Sequence, residues 1–111
     1  MGVRYSLNGR ELGVRSEAFF ALRVGTGRHN DIVIASGSPG VHENHCTIVS
    51  TGSTFRLEMR PEHLVYVDGA LGECGGQLFQ KHVKECELQL GGANAKVQLT
   101  RTGDNIEPET V

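Results

Sequence analysis

Short apolar alternations, each cut off by a turn dipeptide, constrain this chain more than anything else in it. Val3, Tyr5 and Leu7 alternate with Arg4 and Ser6 as far as Asn8-Gly9. Leu12 and Val14 then resume the alternation. A hairpin is expected there, because Asn-Gly readily adopts the left-handed backbone that a two-residue turn demands. The device returns where Val65-Tyr66-Val67 ends at Asp68-Gly69, and where Leu88 and Leu90 lead through Gly91-Gly92 to Val97 and Leu99. Phe55, Leu57 and Met59 share one face against Arg56, Glu58 and Arg60. Turn signals about every eight to twelve residues, with no convincing long helix, predict an all-β sandwich.

The remaining segments fit that scheme. Phe20, Leu22 and Val24 point to one side and Phe19 and Ala21 to the other, so a strand covered on both faces is expected. Asp31–Ile34 reads as a short strand with Ile32 and Ile34 inward. Residues 35–40, dominated by Gly, Ser and Pro, predict a loop. His45–Ser50 reads as a strand whose alternation buries the Cys46 thiol beside Ile48. Residues 72–76 read as irregular. Within 78–90, Phe79, Val83, Cys86 and Leu90 fall at helical spacing, yet Leu88 and Leu90 alternate towards the glycines, so loop followed by strand is expected. No internal repeat is found. From Gly103 the chain is polar, which predicts a domain over 1–102 and a disordered tail or linker over 103–111.

Composition limits the function. The chain has 111 residues, enough for one modest core, and a formal net charge of −2, with no global footprint for nucleic acid. Arg4, Arg10, Arg15, Arg23 and Arg28 nevertheless crowd the first quarter, so a local basic patch is expected. The three cysteines, Cys46, Cys74 and Cys86, form no CxxC and point to a reducing, intracellular setting. No apolar leader or span-length run is present, so neither secretion nor a membrane is expected. With Trp absent, the core must rest on Val, Ile and Leu.

Two polar loops carry the chemistry. The first, residues 25–30, offers the Arg28 guanidinium, the Thr26 hydroxyl and the backbone N–H groups of Gly25 and Gly27, all donors that suit a phosphate. The second contains His42, Glu43, Asn44 and His45. No nucleophile elbow, HExxH or Walker loop occurs, and Gly25-x-Gly27 lacks the third glycine and helix of a dinucleotide site, so neither an enzyme nor a cofactor is expected. His42, His45, Cys46 and His63 are good zinc-ligand types. On a strand, however, residues 45 and 46 face opposite ways, so a loop His, a hydrogen-bonded His and a core thiol are expected instead, and no metal.

Together, Val24-Gly25, Asn30-Asp31-Ile32-Val33-Ile34, Val41-x-x-x-His45-Cys46-x-Ile48, Val67-Asp68-Gly69 and Leu88-x-Leu90-Gly91 resemble a forkhead-associated (FHA) domain over most of residues 3–100. The resemblance implies a sandwich of about eleven strands of the SMAD/FHA type with peptide-binding loops at one end. It implies a non-catalytic reader of phosphothreonine in a partner protein. The family's usual Gly-Arg is Gly25-Thr26 here, its Ser-Arg-x-His is His42-Glu43-Asn44-His45, and its Asn before the next strand corresponds to His63. The residues expected at the phosphopeptide are therefore Thr26, Arg28, His29, Asn30, His42, Glu43, Asn44 and His63, with Arg28 compensating for the replaced Arg. Gly25, Asp31, His45 and Gly69 are expected to support the loops. The form Gly40–Cys46 resembles the subgroup in kinesin-3 motors and afadin-like scaffolds, which implies a cytoplasmic or nuclear, cytoskeleton-associated signalling scaffold. The implied partner is a phosphorylated protein, with no nucleic acid or membrane, and the domain is expected to be a monomeric part of a larger protein. The alternative is a degenerate member that docks a partner, or a segment of its own chain, without phosphate.

Overall fold

The computed structural model describes residues 2–17, 19–51, 54–78, 84–92 and 95–102, and all their regular structure is β. The strands are β1 (Gly2–Leu7), β2 (Arg10–Arg15), β3 (Phe19–Gly25), β4 (Ile32–Val33), β5 (Cys46–Thr51), β6 (Phe55–Met59), β7 (Val65–Val67), β8 (Ala70–Leu71), β9 (Gln77–Leu78), β10 (Glu85–Leu90) and β11 (Ala95–Thr102). They form a six-stranded sheet in the order β2-β1-β11-β10-β7-β8 and a five-stranded sheet in the order β4-β3-β5-β6-β9. This is the sandwich that the alternation predicts. No helix among the described residues is long and apolar enough to cross a membrane.

The turn dipeptides act as their chemistry requires. Asn8 and Gly9 take φ values of 50° and 86°, and Asp68 and Gly69 take 50° and 90°. Positive φ at both central residues twists the turn to match the flanking strands, which places β1 against β2 and β7 against β8. β10 and β11 pair across the Gly91-Gly92 turn with Leu88 opposite Val97 and Leu90 opposite Ala95.

Register then builds the core. Leu22 stands opposite Ile48, and Ile48 opposite Leu57, so one row crosses β3, β5 and β6. From the other sheet Leu88, Val97 and Leu99 close over it, all fully buried. Each such side chain contributes roughly 1.5–3 kcal/mol on leaving water.

Several expectations change. β3 is covered on one face only: Phe19 is 73% exposed and Ala21 and Arg23 face solvent, because the five-stranded sheet has no layer outside it. The strand expected over 31–34 shortens to β4, which runs parallel to β3. β5 begins at Cys46 rather than His45. Two short strands, β8 and β9, carry too little alternation to be read. Phe79 and Val83, and the whole 103–111 tail, lie outside the described residues.

Candidate functional site

Where β3 ends, the chain can turn only because residue 25 is glycine: a Cβ there would run into the carbonyl oxygen of Glu43. That close approach lets two loops pair as backbone. Thr26 N donates to His42 O at 3.1 Å, and Gly27 N to Glu43 O at 3.2 Å. Asn30 completes the join, its side-chain amide donating to Gly27 O and to Glu43 O, both at 2.8 Å. Asn30 was expected among ligand-contacting residues. It is buried and both amide hydrogens are committed within the protein, so it braces the loops.

Asp31 holds the base of the first loop. Its Oδ2 accepts from Arg23 N at 2.9 Å, and its Oδ1 from Arg15 Nη2 at 3.3 Å, which also clips β2 of the opposite sheet to this corner. The Arg23 Nε lies 3.6 Å from the same carboxylate.

His45 is fully buried beneath the loops. Its Nδ1 accepts from the backbone N–H of His42 at 3.1 Å, so the proton sits on Nε2, which donates to Leu64 O at 2.8 Å. Burial, the larger influence, lowers its pKa below the usual 6.5. The Leu64 carbonyl opposes that, and the neighbouring His63 and His42 add to it. The imidazole is a neutral strut. Leu64 O also accepts from Gly91 N at 2.8 Å, so the loops before β7 and after β10 share one acceptor.

Above this strut lie two more imidazoles. His63 donates from Nδ1 to His45 O at 3.2 Å, and its ring stacks on that of exposed His42, with centroids 3.8 Å apart and planes at 16°. His29 donates from Nε2 to the side-chain oxygen of Asn44, tying the first two loops a second time. Thr26, His29, His42, Glu43, Asn44 and His63 therefore meet on one crest, with Arg28 in its first loop. Arg28 and Glu43 are exposed there, and no ion pair among the described residues involves Arg28.

Gly69 does not belong to this crest. Its turn closes the far end of β7, where Asp68 is bonded to the backbone of Glu87, so it shapes the β7–β8 hairpin instead of the binding loops. Both nitrogens of His45 are occupied, and burial pushes the Cys46 thiol up to about 12. Among the described residues no cluster of three His, Cys, Asp or Glu could hold a metal ion.

Beside the crest is a recess of about 370 Å³ that sequence reasoning missed. Arg23, Thr47, Glu58 and Arg60 line it together with His29 and Asn44. Arg23 pairs with Thr47 across one ladder, and Thr47 with Glu58 across the next. Each is an outward residue in the alternation, but only the register makes them neighbours.

Comparison with known proteins agrees with this architecture. The family model described as the FHA domain matches residues 22–91. No curated protein sequence matches. The chain is similar to the FHA domain of the CT664 protein from Chlamydia trachomatis, with a TM-score of 0.73 at 15% identity over 93% of this chain and 100% of that one. It is similar to the N-terminal FHA domain of Rad53p from S. cerevisiae in complex with a phosphothreonine peptide, with a TM-score of 0.62 at 9% identity over 92% and 94%. EmbR from Mycobacterium tuberculosis in complex with a low-affinity phosphopeptide gives a TM-score of 0.69 at 19% identity, covering 93% of this chain and 25% of that one. At such identities these likenesses establish the fold.

Proposed function

This chain belongs to the FHA domain family, and on that premise we propose that it docks a phosphothreonine-containing segment of a partner protein on the crest formed by residues 25–30, 36–44 and 60–64. FHA domains are phosphothreonine-binding interaction modules. One observation carries the reading to this crest. The Thr26–His42 backbone bond and the His42–His63 ring stack weld three loops, from three separate parts of the chain, into one donor-bearing surface.

The roles follow from chemistry. Arg28, exposed and outside any ion pair among the described residues, supplies the guanidinium that the Thr26 position lacks. Thr26, the His42 ring nitrogens and the Nε2 of His63 supply further polar contacts, and Asn44 and His29 hold the crest's shape. The module works as a monomeric, non-catalytic part of a larger intracellular protein. The kinesin-3 and afadin-like subgroup, with its cytoskeletal setting, remains a reading of the Gly40–Cys46 residues alone.

A second reading has its own observation. Glu43 places an exposed carboxylate on the crest, which repels a phosphate, and this favours phosphate-independent docking of a partner or of another segment of the same protein. Amide chemical-shift mapping separates the two. A phosphothreonine peptide pool is expected to perturb residues 26–29, 42–44 and 63, whereas shifts identical with the unphosphorylated pool would reject the phosphate reading.

A further inference from the structure

The recess beside the crest holds more cationic and hydroxyl donors than the loop chemistry uses. Its floor is Thr47, with Arg23 on one flank and Glu58 on the other. Two of its charges already have partners: Arg23 Nε lies 3.6 Å from Asp31 Oδ2, and Glu58 Oε2 lies 3.6 Å from Arg56 Nη2. Arg60 is exposed on the rim, and no ion pair among the described residues engages it. The remaining polar lining includes the half-buried Thr47, the His29 ring and the Asn44 amide. With the other two charges locally balanced, the recess carries a net positive charge from Arg60.

We propose that this recess is a second anion subsite, which takes the carboxylate or phosphoryl group of a residue flanking the phosphothreonine in the same bound segment. The inference rests on the phosphothreonine reading. Continuity supports it: His29 and Asn44 form one wall of the recess and, through their mutual hydrogen bond, part of the crest. A peptide lying extended across the crest advances about 3.3 Å per residue, so a neighbour a few positions away reaches over that wall. Arg60 meets the anion at the rim, and the Thr47 hydroxyl donates from the floor. The site selects a doubly anionic segment, with one group on the crest and one in the recess.

Fluorescence anisotropy on the full chain tests this with four peptide sets: phosphothreonine in a neutral context, phosphothreonine with Glu scanned through the flanking positions, phosphothreonine with phosphoserine scanned likewise, and the Glu set without phosphate. At one position Glu or phosphoserine is expected to tighten binding roughly three- to tenfold, as a charge-assisted hydrogen bond near solvent would. The comparison of Glu with phosphoserine identifies the source of the anion. That gain is expected to vanish in Arg60→Ala, whose backbone carbonyl still accepts from His63 N. It is expected to shrink in Thr47→Val, which keeps the shape and a β-branched side chain. Phosphothreonine binding with no positional gain, or with a gain undiminished in both variants, would overturn the subsite and leave the crest reading standing. Arg60-dependent binding of the unphosphorylated Glu set, without any phosphothreonine preference, would sink the crest reading and with it the doubly anionic selection proposed here. Binding of no peptide set would overturn both.

Discussion

The side-chain amide of Asn30 donates to the carbonyl oxygen of Glu43 at 2.8 Å, and that bond joins the loop after β3 to the loop before β5. The same amide satisfies Gly27 O, also at 2.8 Å, and the residue is buried. Two of the three loops of the crest are thereby fastened to each other, which reduces the ordering cost of binding a peptide.

Asn30→Ala removes both bonds and leaves two carbonyls without this donor. Each carbonyl keeps a backbone donor, so the expected loss in urea denaturation is that of two hydrogen bonds, about 1–3 kcal/mol together. Asn30→Asp keeps the size but sets a carboxylate oxygen against a carbonyl oxygen, and is expected to be at least as destabilising.

His45 makes stability depend on pH. Its folded pKa lies below the 6.5 of the free group, chiefly through burial, so the unfolded chain binds the proton more readily. The contribution of neutral His45 is therefore complete above the unfolded value and is lost as pH falls from about 7 towards the lowered folded value. The slope is at most about 1.4 kcal/mol per pH unit for one proton. Denaturation midpoints measured between pH 7.5 and 5 are expected to fall less steeply in His45→Asn than in the native sequence. Parallel curves would remove His45 as the source.

The three thiols are expected to react in two classes. Cys74 is exposed, whereas Cys46 and Cys86 are buried and burial holds the Cys46 thiol near 12. A thiol reagent on the folded chain at neutral pH is expected to modify Cys74 at once, and the other two only at the rate of unfolding, as mass spectrometry of modified peptides would show.

Arg28 carries the phosphate chemistry in the proposed function, and Arg28→Ala is expected to weaken phosphothreonine peptide binding by about tenfold or more while leaving thermal stability unchanged. Hydrogen bonds to charged groups are worth roughly 1.5–3 kcal/mol. An unaltered affinity would contradict the compensating role given to Arg28.

The sheet was legible because its signals are local. Asn8-Gly9 and Asp68-Gly69 fix turns through their own backbone preferences, and the alternation at Phe55, Leu57 and Met59 declares its inward face without help from the rest of the chain. The loops of the crest were legible as segments, but the place of single residues within them was not. Nothing near Asn30 in sequence shows that Glu43 O lies against it, and nothing near Gly69 shows that its turn closes the far end of β7. The recess was illegible for the same reason: Arg23, Thr47 and Glu58 lie on three strands, and only their register places them side by side. The exposure of Phe19 escaped too, since an apolar residue on an edge of the alternation looks the same whether or not a layer covers it.

A calorimetric titration of this chain with degenerate phosphothreonine, phosphoserine and unphosphorylated peptide pools, at matched ionic strength, tests the central claim most directly. Heat from the phosphothreonine pool alone, with micromolar affinity, is the predicted result. Indistinguishable heats from all three pools would contradict it and would mean that the crest docks its partner without phosphate.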